Sequence, residues 1–319
     1  NLMESNEFFA VGLPAITGAL QCHREDVKYI DALKKGMTNH SYLFSVRGKK
    51  YILRIPGEGT DRLIDRKAEA SAFRAIKGYG LCDDPVYVNS ENGLKITRFL
   101  EGVRPCDPNN ERDLRKCMKK LRSFHELKLT VPHSFDIFSR IDYYEALWDG
   151  KASVFPDYLE TKARIFLWRE RLDLLPKEWC LTHIDAVCDN FLFYQSADGK
   201  EELQLTDWEY AGMQDPHVDL AMFALYSEYD KQQLDHLIEL YFEGDPGWRI
   251  RAKIYYYMAA CGLLWSNWTE YKQHLGVDFG DYGAKQYAYA KEFMGYLSVV
   301  PGSFVASHKR DLTRGTVYA

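Results

Sequence analysis

Beyond Gly102 most of the chain reads as helix, and one stretch does not: "EWCLTHIDAVCDNFLFYQSADGKEELQLTDWEY", Glu178 to Tyr210. The segments around it, "NERDLRKCMKKLRSFHEL", "IDYYEALWDG", "YLETKARIFLWRERLDLLP", "DLAMFALYSEYDKQQLDHLIELYFEG" and "WRIRAKIYYYMAACGLLWSNWTEYKQHL", all carry apolar residues at helical spacing. The interruption predicts two short strands around the Ser196-Ala197-Asp198-Gly199 turn. A helical body must then be built around an inserted hairpin. An irregular loop from His183 to Asn190 precedes its first strand.

Upstream, the pattern is different. "NEFFAVGLPAITGAL" predicts a leading helix, and from Val27 to about Leu100 short alternating runs take over. "YIDALKKGMTNHSYLFSV" and "KKYILRIPG" predict three strands with a bend at Gly36 and a turn at Arg47-Gly48. "DRLIDRKAEASAFRAIKGYG" predicts a helix stopped by Gly78 and Gly80, and "PVYVNSENGLKITRFLEG" a hairpin turning at Glu91-Asn92-Gly93. The expected fold is therefore α+β in two lobes: a small antiparallel-sheet lobe with its leading helix over 1–101, and a larger, mainly helical lobe over 102–319.

Composition removes several function classes. The formal charge is -5, and the chain has no basic block to serve nucleic acid as a partner. The seven cysteines are scattered without a CxxC pair, which argues for reduced thiols and against a zinc site or a disulfide framework. No apolar run approaches the roughly 20 residues that span a bilayer, and the start "NLMESNEFF" has no signal-peptide pattern, so a cytoplasmic location without membrane insertion is expected. The tail from Pro301 is polar, weakly basic and expected to be peripheral.

His183, Asp185 and Asn190 alone fit a polar turn as well as a phosphotransfer loop. The strand that follows changes the balance. A hairpin folds Asp207, at the end of its second strand, back beside Asn190, so that two carboxylates and an amide face one another. Magnesium takes hard oxygen ligands, one or two from protein and the rest from phosphates and water; Asn190 and Asp207 suit it. Asp185 suits the acceptance or orientation of a hydroxyl proton, as in protein kinases. The first lobe carries kinase-like parts in order. Gly36, Thr38, Asn39 and Ser41 offer phosphate donors, although no GxGxxG is present. Arg54 stands on the third strand where a kinase keeps its lysine, with Glu69 on the next helix to orient it. Backbone near Arg98 to Leu100 forms the adenine hinge. The literal "DFG" at Asp278 to Gly280 lies too far downstream for the metal role, and no HRD or APE motif occurs, which argues against a protein kinase.

These residues resemble the aminoglycoside phosphotransferase and choline kinase superfamily, and the bacterial choline kinases most of all. The HxDxxxxN loop is matched by His183, Asp185 and Asn190, the acidic-aromatic-Glu-Tyr run by "DWEY" at Asp207 to Tyr210, and the likeness extends from about Asp31 to Tyr289. The resemblance implies a protein-kinase-like fold, ATP and Mg2+ as cofactors, and phosphorylation of choline to phosphocholine. Ethanolamine, an aminoglycoside or another small hydroxyl compound is the alternative acceptor, and a non-catalytic nucleotide-binding module the alternative class. It also implies that Asp219 braces the catalytic loop, and that Glu209 binds a second metal or stabilises the cationic substrate. "WSNW" and "DFGDYG" are similar to the segments that supply choline-binding aromatics. Tyr210, Trp265, Trp268 and Tyr282 are then the expected cage, because a quaternary ammonium has no N–H donors and is held by aromatic faces. Nothing in the sequence specifies an oligomeric state.

Overall fold

The computed structural model describes residues 2–33 and 39–298; Gly36, Thr38 and the tail from Pro301 lie outside the described residues. The described chain forms two compact units, one made of the residues up to Phe135 together with Cys180–Met213, the other of Asp136–Trp179 and the residues from Gln214 on. The expected division after residue 101 differs from this one. Arg104–Pro105 pairs with Phe191–Gln195, and the Cys106 amide donates to the Phe191 carbonyl at 2.9 Å. These bonds keep the chain past Gly102, and the inserted hairpin, in the first unit.

The first unit opens with α1 (Leu2–Glu7), a π-helical segment (Phe8–Gly12) and α2 (Leu13–Leu20). Strands β1 (Val27–Ala32), β2 (Asn39–Val46), β3 (Lys49–Pro56), β4 (Tyr87–Val88) and β5 (Lys95–Arg98) form a five-stranded antiparallel sheet in the order β1-β2-β3-β5-β4. Phe8, Leu13 and Ile16 pack on its Phe44, Leu53 and Ile96 face. Helix α3 (Arg66–Ile76) begins at Asp65, whose carboxylate accepts from the Lys67 and Ala68 amides, and it buries Glu69, Ala72, Phe73 and Ile76. That spacing is one helical stripe, with a glutamate where an apolar residue is expected. Strands β6 (Arg104–Pro105), β7 (Cys180–Thr182), β8 (Phe191–Gln195) and β9 (Glu201–Leu205) follow, with α4 (Glu111–Glu126) between β6 and β7. β6, β8 and β9 make a second sheet, in which the β8–β9 pair is the predicted inserted hairpin.

The second unit is helical: α5 (Ile137–Ala146), α6 (Tyr158–Asp173), α7 (Val218–Tyr226), α8 (Lys231–Phe242), α9 (Trp248–His274) and α10 (Tyr282–Leu297). Every residue of α9 from Ala252 to Lys272 is buried, which makes it the axis on which α5, α6, α7 and α10 pack. The sequence ran α7 and α8 together. They separate where Glu228 takes a left-handed φ of 57° and Asp230 opens a capping box with Gln233. Helix α10 was not anticipated, although Gln286, Ala290, Phe293 and Leu297 share its buried face. At the centre of the unit the Lys253 ammonium lies 2.7 Å from Asp215. Burial would raise the Asp215 carboxyl, but Lys253 holds it below the usual range. Among the described residues no helix is long and apolar enough to cross a membrane.

Gly262 sets how closely α9 and α10 approach, because a Cβ there would stand 2.7 Å from the Gln286 carbonyl oxygen. A Gly262→Ala change gains about 1 kcal/mol of helix propensity but costs about 1–3 kcal/mol in overpacking. Urea denaturation is expected to show a net loss of stability; a gain would mean that the two helices can part freely.

Candidate active site

The third strand of the sheet delivers Arg54 into a buried ionic cluster. Its Nη1 donates to Glu69 Oε2 at 2.7 Å, its Nη2 to Glu69 Oε1 at 2.8 Å and to the Gly93 carbonyl at 2.9 Å. Both side chains are almost fully buried, at 5% and 0% exposure. Burial would raise the Glu69 carboxyl, but the Arg54 hydrogen bonds and charge bring it from 4.5 down to about 2. A second arginine joins them. Arg66 Nη1 lies 3.5 Å from Glu69 Oε1 and 3.5 Å from Glu209 Oε2, and its side chain is backed by Gly93, where a Cβ would stand 2.5 Å from Nε. Gly93 also has a left-handed φ of 75°, so turn geometry and packing both require glycine there.

Glu209 is thus placed among cations and an amide: it accepts from Asn39 Nδ2 at 3.0 Å and lies 3.6 Å from Arg54 Nη1. Burial pushes its carboxyl above the usual range, Arg54 opposes this, and the neighbouring Glu69 and Asp207 add to it. Asp207, by contrast, is half-exposed and has the Lys95 Nζ 3.4 Å from its Oδ1.

A cavity of about 400 Å³ opens beside this cluster. Ile52, Phe99, Leu100 and Val103 supply apolar walls, while Asn39, Ser41, Arg54, Lys95 and Asp207 line its polar parts, with Arg98 also at the wall. Such a lining, mainly apolar with a few convergent polar groups, suits a nucleotide-sized ligand. At the hinge the Phe99 amide already donates to the Lys50 carbonyl at 3.1 Å.

The catalytic-loop candidates sit just after β7. Asn190 donates through Nδ2 to the Asp185 carbonyl at 2.7 Å and to Asp185 Oδ2 at 3.2 Å. The loop is laced to the end of β9: the Thr206 amide donates to the Asn190 carbonyl at 2.8 Å, and His183 Nε2 meets the Thr206 carbonyl at 2.8 Å. His183 is fully buried with its ring edge-on to Trp208. Its contacts suit bracing. Two residues of this neighbourhood, Ile184 at φ 71° and Asp207 at φ 61°, hold left-handed backbone. Such geometry costs roughly 1–3 kcal/mol per residue and concentrates at functional sites.

Asn190 and Asp207 offer a hard-oxygen donor set of the type magnesium takes. With the Asn190 nitrogen engaged by Asp185, its carbonyl oxygen is the remaining ligand atom. The expected aromatics divide between the units. Tyr210 is buried in the first. In the second, Trp265 and Trp268 stand perpendicular, at 88° with centroids 5.8 Å apart, and Tyr282 is half-buried at the start of α10. Asp219 is buried on α7. Phe279, from the "DFG" set aside as a metal motif, stacks on Trp268 at 5.2 Å. Sequence reasoning missed Arg66, Lys95 and Phe279. For Lys95 the one available signal was strand alternation, which sets it and Thr97 opposite to the apolar Leu94 and Ile96.

The model of a phosphotransferase enzyme family matches residues 30–254. The chain is 28% identical over 269 residues to Protein LicA of Haemophilus influenzae, a match covering 79% of this chain and 76% of that one. The crystal structure of choline kinase LicA from Streptococcus pneumoniae superposes with a TM-score of 0.77 at 29% identity, covering 93% of this chain and 100% of that chain. A LicA structure in complex with AMP gives a TM-score of 0.77 at 28% identity over 90% and 98% of the two chains.

Folding lowers the Glu69 pKa, so the stability it contributes is complete above 4.5 and fades as pH falls toward about 2. Glu69→Gln is expected to flatten the acid limb of the stability–pH curve in that window, followed by urea denaturation. An unchanged acid limb would remove the ion pair as its source.

Proposed function

The chain belongs to the phosphotransferase enzyme family, and on that premise we propose that it is a kinase transferring the terminal phosphoryl group of ATP to the hydroxyl of choline, giving phosphocholine. The observation that carries the reading is the laced pair of loop and strand end, which fixes Asp185 against Asn190 and presents Asp207 to the nucleotide-sized cavity. The similarity to the choline kinase LicA supplies the acceptor.

In this reading the adenine lies between Ile52, Phe99, Leu100 and Val103, near Arg98, and the phosphates extend toward Asn39 and Ser41. Arg54, clamped by Glu69, adds positive potential to that end. Asp185 orients the acceptor hydroxyl and takes its proton, and its own carboxylate is held by the Asn190 amide. Magnesium held by Asn190 and Asp207 would neutralise charge on the phosphates during transfer. Glu209, bound by Asn39 and beside Arg54 and Arg66, is assigned to the phosphate and metal side of the site in preference to the substrate cation. For choline, the right-angled pair of Trp265 and Trp268 provides two walls of a box, and Tyr282 on the same unit is assigned a third. Each face contributes about 0.5–2 kcal/mol to a desolvated quaternary ammonium.

Asp185→Ala is expected to lower kcat by about 10²–10⁴-fold while ADP still binds; retention of more than about a tenth of the activity would remove Asp185 as the main catalyst. A coupled ADP-release assay over choline, ethanolamine, aminoglycosides and sugars tests the acceptor. Choline should be preferred, and Trp265→Ala should raise its KM about 2–30-fold. Preference for ethanolamine, with the KM unmoved by that substitution, would replace the cage with a hydrogen-bonding amine site.

A further inference from the structure

We propose that Lys95 is the side chain that binds the nucleotide's phosphates, and that it reaches them by exchanging partners: it holds Asp207 until a metal takes that carboxylate. The proposal rests on the kinase reading above and assigns a role to a residue outside the motifs that led to it.

Arg54, which holds the strand position of a kinase lysine, has little left to give. Its two terminal nitrogens are directed at Glu69, with Nη2 also on the Gly93 carbonyl and Nη1 near Glu209. Its Nε is buried without an acceptor, so a ligand would have to displace protein to use it. Lys95 stands directly across the β3–β5 ladder from Arg54, on the same face of the sheet. It lines the cavity, and its ammonium lies over the Phe73 ring, with Nζ 5.3 Å from the centroid. An ammonium carries three donors, and the bond at hand is a long one, 3.4 Å to Asp207 Oδ1.

Charge balance gives the exchange its direction. Arg54, Arg66 and Lys95 face Glu69, Glu209 and Asp207, three cations against three anions. Asp207, holding a divalent cation, would no longer serve Lys95 as counter-charge, and the ammonium would be repelled from it. The phosphates that accompany the metal are the nearest new anions, and a flexible four-carbon stem can follow them. Arg54, fixed in its fork by Glu69, cannot. Lys95 therefore lowers the affinity of Asp207 for metal alone and raises that of the site for nucleotide.

The test compares wild type, Lys95→Met and Lys95→Arg by calorimetry with ADP and with adenosine, both at saturating Mg2+, together with Mn2+ binding followed by electron paramagnetic resonance without nucleotide. Lys95→Met should bind ADP about tenfold or more weakly, bind adenosine as wild type does, and bind Mn2+ more tightly. Lys95→Arg should recover most of the ADP affinity. Equal ADP affinity in wild type and Lys95→Met overturns the proposal, as does a parallel loss of ADP and adenosine, which marks a packing role. Unchanged or weaker Mn2+ binding overturns the exchange with Asp207. Wild-type protein that binds no ADP overturns the kinase reading itself, an outcome read without any variant.

Discussion

The buried pair between Arg54 and Glu69 is the contact on which the organisation of the first unit depends. It joins the middle strand of the sheet to helix α3, and through the Gly93 carbonyl it also fixes the β4–β5 hairpin. Arg66 and Glu209 extend it to the segment after β9. Desolvating two such charges is expensive. Removing one partner would cost about 3–5 kcal/mol, because the other would be left buried and unpaired. A hydrophobic pair of the same volume could hold strand and helix equally well, so stability alone does not explain the charges. What the ions add is geometry: a carboxylate accepting from a fork of two nitrogens has one position, and every group bonded to either inherits it.

The catalytic-loop region is ordered by a different device, the crossing of backbone hydrogen bonds between loop and strand end. The Thr206 amide donates to the Asn190 carbonyl, and His183 Nε2 meets the Thr206 carbonyl from the other side. This lacing supports the left-handed backbone at Ile184 and Asp207. An isoleucine at such a φ is unfavourable, since its branched Cβ crowds the carbonyl. Both residues are held by surroundings that leave no alternative, and the consequence is that Asp185 follows a rigid residue instead of a hinge.

Much of this was legible in the sequence, and the reasons for the remainder are physical. Strand alternation and turn residues located the five-stranded sheet, and the β interruption within helical sequence located the loop and its hairpin. The fold class follows from those features, and the family from the likeness of the loop carrying His183, Asp185 and Asn190 and of the "DWEY" run. The roles of Arg66 and Lys95 did not, because burial of a charge depends on what packs over it, and that is non-local. Glu209 illustrates the same limit: its neighbours Asn39 and Arg66 lie far away in the chain. Helix α10 was missed for a different reason. Its tyrosines and alanines are spaced for a helix, but the preceding "DFGDYG" reads as a loop, and tyrosine and alanine mark a buried face less sharply than leucine or isoleucine would. Phe279 in that loop then contributes its ring to Trp268.

Gly93 joins two requirements that ordinarily belong to different residues. Its left-handed backbone serves the hairpin, and its missing side chain makes room for Arg66 and for Pro56 on β3. A turn glycine usually tolerates asparagine, which adopts the same backbone region at modest cost. Here asparagine would satisfy the turn and still collide with the guanidinium beneath it. A solvent-side hairpin, normally the most permissive part of a sheet, is thereby made as intolerant of substitution as a protein core, and sequence changes that look like loop variation would act on the charge network of the nucleotide cavity.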